Sequence, residues 1–597
     1  MSEARGARLT VRPTNVVWSA AGVAAITFVA FSRTLLNGFV NWDDPAVLID
    51  NVHLRSPGLL SWAFTTTLIG HYQPLGWLVW GTARAVFGPA PLTFHVLSVV
   101  GHAVNAALVY LVTLQLLRTF GGEPAAGVSR RANAAAVVAA VAFGAHPVRV
   151  EAVAWASALP YVLSLAALLV SFSTYLSGRR FASVGCYAAS LLSRAVAIGF
   201  PLVLLIVDLY PVNRTRRSTI GRLVIEKIPF AALAVIAIVV EGHSREVATL
   251  QEVGLGARLS MAVTAPFVYL GRTFWPIHLS PLDPLPISPM FGITSFILGT
   301  CGLMIVTVAT WMVRRRSPAA LAFWFSFAAL LAPVIGLVPS GVQATADRYL
   351  YVPGVVVSMA VGVVAARCAR SWSARSWGTM ASNLGVAVAV TLTIALTVIS
   401  WQQVGYWHDS IALWTRTADL DPSDDIATYN LAIALAEAGR EDEAIARYEQ
   451  TLRLVPDHEL ARQNLAIIQA ARAERDGDRF ARAGNLVAAR EAYARALSLD
   501  SKRLHARAAR GVIEAQGGQL SDAVDDLTKA FDGHVKDPAV PNALAFALIQ
   551  TGHPDQAVNV LERALDEHPG DAGIAHNLEL AREVAAHAGK DGRPTAK

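Results

Sequence analysis

Two neighbouring carboxylates open the chemistry of this chain. They stand in Asn37-Gly-Phe-Val-Asn-Trp-Asp43-Asp44-Pro45. Adjacent side chains diverge by roughly 100° on a helix and 180° on a strand, so the two cannot serve one point. Asp44 before Pro45 reads as a helix N-cap followed by proline at the first helical position. Asp43 has no such duty. A lone carboxylate at a membrane surface suits a general base taking a proton from a hydroxyl, and the plainer reading is a solvated loop residue. His71-Tyr72-Gln73-Pro74 follows, and then Ala145-His146-Pro147-Val-Arg149-Val-Glu151-Ala-Val-Ala-Trp155. There Glu151 and Trp155 fall one helical turn apart, a pair able to shape a sugar-sized pocket unless Glu151 is spent on an arginine. Asp347-Arg348-Tyr349-Leu-Tyr351-Val-Pro353 opens an apolar run with an arginine. A guanidinium there can fork onto a phosphate while staying charged in a poorly hydrated site, or it can pair with Asp347. Arg194 lies inside an apolar stretch and reads as a packing residue; His95, His102 and Asn105 read as hydrogen-bond links between helices. Phosphate-loop, His-Glu-x-x-His and Gly-x-Ser-x-Gly patterns are missing, so ATP-driven transport, zinc proteolysis and serine hydrolysis lose support.

The elements that position these residues are apolar. The chain has 597 residues, 54% hydrophobic and 16% charged, with mean hydropathy +0.43, which is too oily for a row of soluble domains. Residues 1–401 hold 28 Lys+Arg and 13 Asp+Glu, a charge of +15, while 402–597 hold 22 and 31, a charge of −9. The basic excess sits in short loops and the tail is acidic, so a nucleic-acid partner is not expected. Cys186, Cys301 and Cys368 offer neither a disulfide framework nor a metal cluster. Runs near 16–36, 92–117, 225–241, 293–313, 318–339, 349–366 and 380–401 reach the length needed to cross a bilayer, about 20 residues, and more crowded spans lie between 132 and 212. Clusters at Arg118/Arg130/Arg131, Arg179/Arg180, Arg214 to Lys227, Arg314 to Arg316 and Arg367 to Arg375 mark the cytoplasmic side. About eleven spans satisfy them, provided that 257–276 is interfacial or re-entrant.

After residue 425 a 34-residue period appears. Gly439, Ala444, Tyr448 and Pro456, then Gly484, Ala489 and Tyr493, then Gly518, Ala523 and Ala530, then Gly552, Ala557, Ala564 and Pro569 occupy the turn, small-residue, aromatic and closing slots of a tetratricopeptide repeat. About four repeats, with 459–469 as an inserted or irregular helix and a closing helix near 573–588, make a solenoid over 425–588. Residues 402–424 read as a linker and 589–597 as a disordered tail. The expected fold is all-α: a polytopic bundle over 1–401 and then the solenoid.

The order of these motifs resembles the transmembrane and tetratricopeptide repeat-containing O-mannosyltransferases of the GT-C superfamily. The elements that carry the resemblance are Phe39-Val-Asn-Trp-Asp43-Asp44 with Asn51, Tyr72-Gln-Pro74-Leu75, Phe94-His95 with His102, His146-Pro147 with Glu151, and Arg348-Tyr349-Leu-Tyr351-Val-Pro353 ahead of the repeats. The resemblance implies an inverting glycosyltransferase with a polyprenyl-phosphate sugar, mannose in the family, as donor. It puts the catalytic acidic motif on Asp43 with Asp44 beside it. Arg348 falls to the lipid phosphate, supported by His146 or Arg149, and Glu151, His71 and Tyr351 complete the substrate-binding set. No cofactor is required; a divalent cation on Asp44 or Glu151 is an option. The acceptor would be a Ser/Thr hydroxyl of a protein or peptide, docked through the repeat groove. The compact tail looks bacterial, which leaves the sugar and the acceptor open. The alternatives are a GT-C enzyme acting on an envelope glycan or lipid, and a non-catalytic scaffold. The expected location is the bacterial inner membrane, with the N-terminus cytoplasmic and the repeats outside. A reporter fused after residue 597 should therefore be active only in the extracytoplasmic compartment, and activity in the cytoplasm would reverse that topology.

Overall fold

A computed structural model describes residues 10–588 apart from 12, 121–127, 211–213, 215–217, 245–247, 285–291, 340, 342 and 374–377. The expected tail 589–597 and Arg216, Arg217 and Arg375 lie outside the described residues. The chain is mostly helical, and it divides into two compact units, 1–430 and 431–597.

Among the described residues of the first unit five helices are long and apolar enough to cross a membrane: Thr14–Leu36, Pro91–Arg118, Ala156–Leu176, Ile293–Met312 and Asn383–Gly405. A sixth arises if Arg130–Gly144 and Pro147–Ala154, bent by 55° about His146, count as one span. Pro147 has no N–H to donate into the preceding turn, so the helix breaks where the proline stands. Expected spans near 225–241, 318–339 and 349–366 appear as the shorter apolar helices Ile228–Ser244, Pro318–Val334 and Gly354–Cys368. Length alone therefore accounts for about half of the eleven expected crossings. Residues 255–274 form one 20-residue helix with Pro266 inside it, and it is not among the five.

Small residues and buried polar links join the helices of this unit. A Cβ on Gly362 would lie 2.4 Å from the Ala135 carbonyl oxygen, so glycine lets Gly354–Ser373 press against Arg130–Gly144. His102 joins Tyr351 Oη at 2.8 Å and the Gly144 carbonyl at 3.1 Å. Asn105 donates to the Val162 carbonyl at 2.9 Å and to Tyr351 Oη at 3.1 Å, and His95 reaches the Gly38 carbonyl at 3.3 Å. Ser164 with Ser190, and Ser171 with Ser183, staple Leu159–Leu176 to Arg180–Ser193. The two ends of these helices differ. Arg180, Glu226, Arg214, Asp208 and Lys227 form one ionic cluster, while Arg194 caps the opposite end of Arg180–Ser193.

The stretch expected to be a linker is ordered. Helix Gly378–Gly405 continues to residue 405 and Ser410–Leu420 forms a further helix, with Trp407 and Trp414 buried. The mix of apolar and polar residues in Ser410–Leu420 gives an amphipathic helix whose apolar stripe packs inward. Two short antiparallel ribbons depart from the all-α expectation, Thr10–Val11 with Val128–Ser129 and Asp283–Pro284 with Gln343–Thr345.

In the second unit, and in the helix Asp425–Glu437 that leads into it, antiparallel pairs follow the repeat pattern: Asp425–Glu437 with Glu441–Leu454, Glu459–Arg482 with Leu486–Leu499, Leu504–Gln516 with Leu520–Asp532, and Ala539–Gln550 with Pro554–Glu567. Ala572–Ala588 follows them. Gly439, Gly484, Gly518 and Gly552 turn each pair at φ of 74° to 85°, a conformation that favours glycine. The last three are 34 apart, while Gly439 precedes Gly484 by 45. The surplus of eleven is residues 459–469. They are no separate irregular helix, because they lengthen the next repeat's first helix to 24 residues. Gly511 lies against Leu527, whose Cγ would be 2.7 Å from an added Cβ. Gly511→Val should therefore overpack the interface and destabilise the repeats by about 1–3 kcal/mol, read as a lower urea midpoint of the repeat transition by circular dichroism.

Candidate functional site

The loop bearing Asp43 is clamped from both sides. Gly38 N donates to the His408 carbonyl at 2.8 Å, Asn41 N to Ser410 Oγ at 2.9 Å, and the Trp414 indole N–H to Asn41 Oδ1. Trp42 lies between Trp155 and Trp414, with ring centroids 5.2 Å from each. The stretch expected as a linker is thus the wall against which the acidic loop is set.

The two carboxylates separate as their adjacency requires, but Asp44 is not the expected cap. Pro45 does begin a π-helical turn, Pro45–Ile49. Asp44 itself has helical dihedrals (φ −58°, ψ −39°) and makes no cap hydrogen bond. Its carboxylate accepts from Ser157 N at 3.0 Å, from Ser157 Oγ, and from Val40 N at 3.0 Å. At 1% exposure it is a clasp between loop and helix mouth, with both oxygens engaged. Burial pushes this carboxyl up to about 6, against the hydrogen bonds from Ser157 and Val40 that pull it down.

Asp43 is half-buried, and its carboxylate has no hydrogen bond or ion pair among the described residues. Burial raises its pKa, and the charges of Arg348 and Arg194 oppose that rise. Two guanidiniums that lie 154 residues apart in sequence therefore act on one carboxylate.

Arg348 is not paired with Asp347. Glu151 binds it through both oxygens, one on the guanidinium and the other on the Arg348 backbone N at 2.9 Å, and Gln343 Oε1 takes its second terminal nitrogen. The guanidinium also covers the Trp155 ring at 5.2 Å and the Tyr349 ring at 5.0 Å. Asp347 turns to Arg272, at 2.8 Å. The helix holding Glu151 ends at Ala154 and Trp155 is extended (φ −83°, ψ 118°), so the two do not share a helical face. They meet around Arg348 instead, and of the two readings of Glu151 the structure has the ion pair with an arginine.

Arg194, read from sequence as a packing residue, is the arginine missing from the expected set. Its terminal nitrogens donate to Gln73 Oε1 at 2.7 Å, to His71 Nε2 at 2.8 Å and to Tyr161 Oη at 3.4 Å, and the group lies 4.9 Å from the centre of the Tyr161 ring. Arginine can only donate, so His71 carries its proton on Nδ1, which lies 3.7 Å from the Glu241 carboxylate. His71 therefore supports Arg194. The one available signal was a charge inside an apolar stretch, with His71-Tyr-Gln73 on another loop to receive it.

Three expected substrate residues are spent elsewhere. His146 Nδ1 accepts from Val148 N at 3.2 Å as a helix cap and Nε2 meets the Thr273 carbonyl at 2.8 Å. Arg149, 1% exposed, donates to the Leu350 carbonyl at 2.6 Å, stacks 4.8 Å from the Phe143 centroid and fills the space beside Gly354. Tyr351 is buried on His102 and Asn105. They brace the helices around the site. Among the described residues no group of three or more His, Cys, Asp or Glu could hold a metal, and the optional ligands Asp44 and Glu151 are both engaged. The residues present do not fit a divalent cation.

Tetratricopeptide repeat family profiles match residues 402–472 and 514–580, the first starting within the stretch expected as a linker. No curated protein matches the chain. Similar solved structures include YrrB, a TPR protein with an unusual peptide-binding site, at 17% identity over 28% of this chain and 80% of that one, TM-score 0.18. A thermophilic TPR protein of Thermus thermophilus, TTC0263, is 21% identical over 32% and 95%, TM-score 0.15. The TPR domain of P58(IPK) is 13% identical over 72% and 99%, TM-score 0.21. The matched residues and the helix pairs together show a tetratricopeptide-repeat part within residues 402–580, after a unit that contains long apolar helices.

Asp44 yields a pH prediction. Its pKa is raised on folding, so the folded state holds the proton over a range where the unfolded chain has released it, and stability falls as pH climbs from the ordinary aspartate value through about 6. Asp44→Asn should flatten that slope, measured as thermal midpoint against pH in detergent.

Proposed function

We propose that this chain is an integral membrane glycosyltransferase that moves a sugar, mannose in the first instance, from a polyprenyl-phosphate donor to a Ser/Thr hydroxyl of an acceptor protein on the extracytoplasmic side. The observation that carries the reading is the state of Asp43: a half-buried carboxylate, without a hydrogen-bond partner among the described residues, in the field of Arg348 and Arg194. The motif order and the basic loop clusters support the family and the eleven-span topology.

In this mechanism Asp43 takes the hydroxyl proton as the acceptor oxygen attacks the anomeric carbon. The bond from that carbon to the phosphate oxygen breaks on the opposite face, its electron pair leaves with the phosphate, and the anomeric configuration inverts. A phosphate leaves without protonation, so one carboxylate suffices, unlike hydrolysis of an ordinary glycoside. Arg348 and Arg194 hold the growing phosphate charge. Because Arg348 is already bound to Glu151 and Gln343, the phosphate would share its guanidinium, while Arg194 is the less neutralised cation. The repeats would dock the acceptor peptide.

A second reading, a non-catalytic repeat scaffold, draws on the mutual satisfaction of Arg348 and Glu151. Membranes given labelled polyprenyl-phosphate mannose separate the readings. The wild type should label protein, and Asp43→Asn should lower the rate by about 10²–10⁴-fold. Label entering lipid or glycan instead would favour an envelope substrate, and unchanged labelling in Asp43→Asn would remove the assigned base.

A further inference from the structure

A groove of about 750 Å³ lies between residues 54–59 and 81–89, and none of the residues that set the Asp43 loop lines it. Leu54, Leu59, Val86 and Pro89 form apolar walls, and Arg55 and Arg84 are its only charged lining residues. Gly81 makes room for it: an added Cβ would sit 2.3 Å from Leu59 Cδ2. Arg84 is anchored to the Leu48 carbonyl, and Arg55 is near enough to act on its charge. Arg55 itself has no hydrogen bond or ion pair among the described residues. Two like charges held together without a carboxylate attract an anion.

The rim indicates the kind of anion. Val86, which lines the groove, is 65% exposed, and Leu60 and Phe87, next in sequence to the lining residues Leu59 and Val86, are 63% and 73% exposed. His53, Trp62, Trp77 and Trp80 form a series of ring contacts, stacked at 4.7 Å, edge-on at 5.2 Å and tilted at 5.1 Å. Exposed Leu60, Val86 and Phe87, beside two arginines and just before the candidate span Pro91–Arg118, match the apolar-plus-basic composition of a bilayer boundary; Trp77 and Trp80 are buried beneath as packing. We propose that this groove binds the phosphate headgroup of an anionic membrane phospholipid, with Arg55 and Arg84 on the phosphate and the acyl chains along Leu60, Val86 and Phe87. The inference rests on membrane insertion and not on sugar transfer, so the transferase reading can fail without it.

The test is native mass spectrometry of the full chain in detergent, titrated with short-chain phosphatidylglycerol. The wild type should bind one copy more tightly than phosphatidylcholine. Arg55→Gln with Arg84→Gln should bind it roughly 25-fold more weakly, since each basic group near an anionic lipid changes affinity about fivefold, while the double lysine variant should keep most of it. Equal binding by the glutamine variant, equal binding of phosphatidylcholine, or full displacement by millimolar inorganic phosphate would overturn the proposal. Should the double variant lose its thermal transition, Arg55→Gln alone, at an exposed side chain, decides by the same comparison at about fivefold.

Discussion

A guanidinium largely shut away from water needs its charge and its donors met, and for Arg348 Glu151 meets the charge and one terminal nitrogen while Gln343 meets the other. Removing one partner of such a buried pair typically costs about 3–5 kcal/mol because the other is left uncompensated. The pair therefore fixes geometry more than it adds stability. It ties the segment after Arg130–Gly144 to the turn before Gly354–Ser373, carries Trp155 and Gln343 with it, and turns the same cation toward Asp43.

The acidic loop is set by the same logic. Asp44 engages both carboxylate oxygens with Ser157 and Val40, and Trp42 is held between two other indoles. What remains free to react is Asp43. Packing and hydrogen bonds of its neighbours fix the loop on which this carboxylate stands. Arg194 is positioned from a third direction through Gln73, His71 and Tyr161, with Glu241 behind His71.

Much of the fold was legible because periodicity is a local signal. The turn glycines and small residues of the repeats stand where their spacing predicted, and His102 and Asn105 bridge helices as polar groups in apolar surroundings should, while His95 links its helix to the loop at Gly38. The misreadings share a cause: they depended on partners far away in sequence. Asp44 before Pro45 looks like a cap until Ser157, 113 residues on, competes for it. Arg194 looks like packing until His71 and Gln73 arrive, and 402–424 looks like a linker until its tryptophans are set against Trp42 and Trp155. His146, Arg149 and Tyr351 sit in the right motifs but face carbonyls and other side chains of the bundle. Short helices ending at Arg194 and starting near Pro201 likewise defeat a count of spans based on hydropathy and length.

The account depends on Arg194 and Arg348 acting together on the Asp43 charge. The direct measurement is carbodiimide labelling of Asp43 across pH, read by mass spectrometry, in the wild type and in Arg194→Gln. Both arginines lower a pKa that burial raises, so loss of Arg194 should move the labelling midpoint to higher pH. An unchanged or lower midpoint would mean that the arginine does not face the carboxylate, and the convergent site would be wrong.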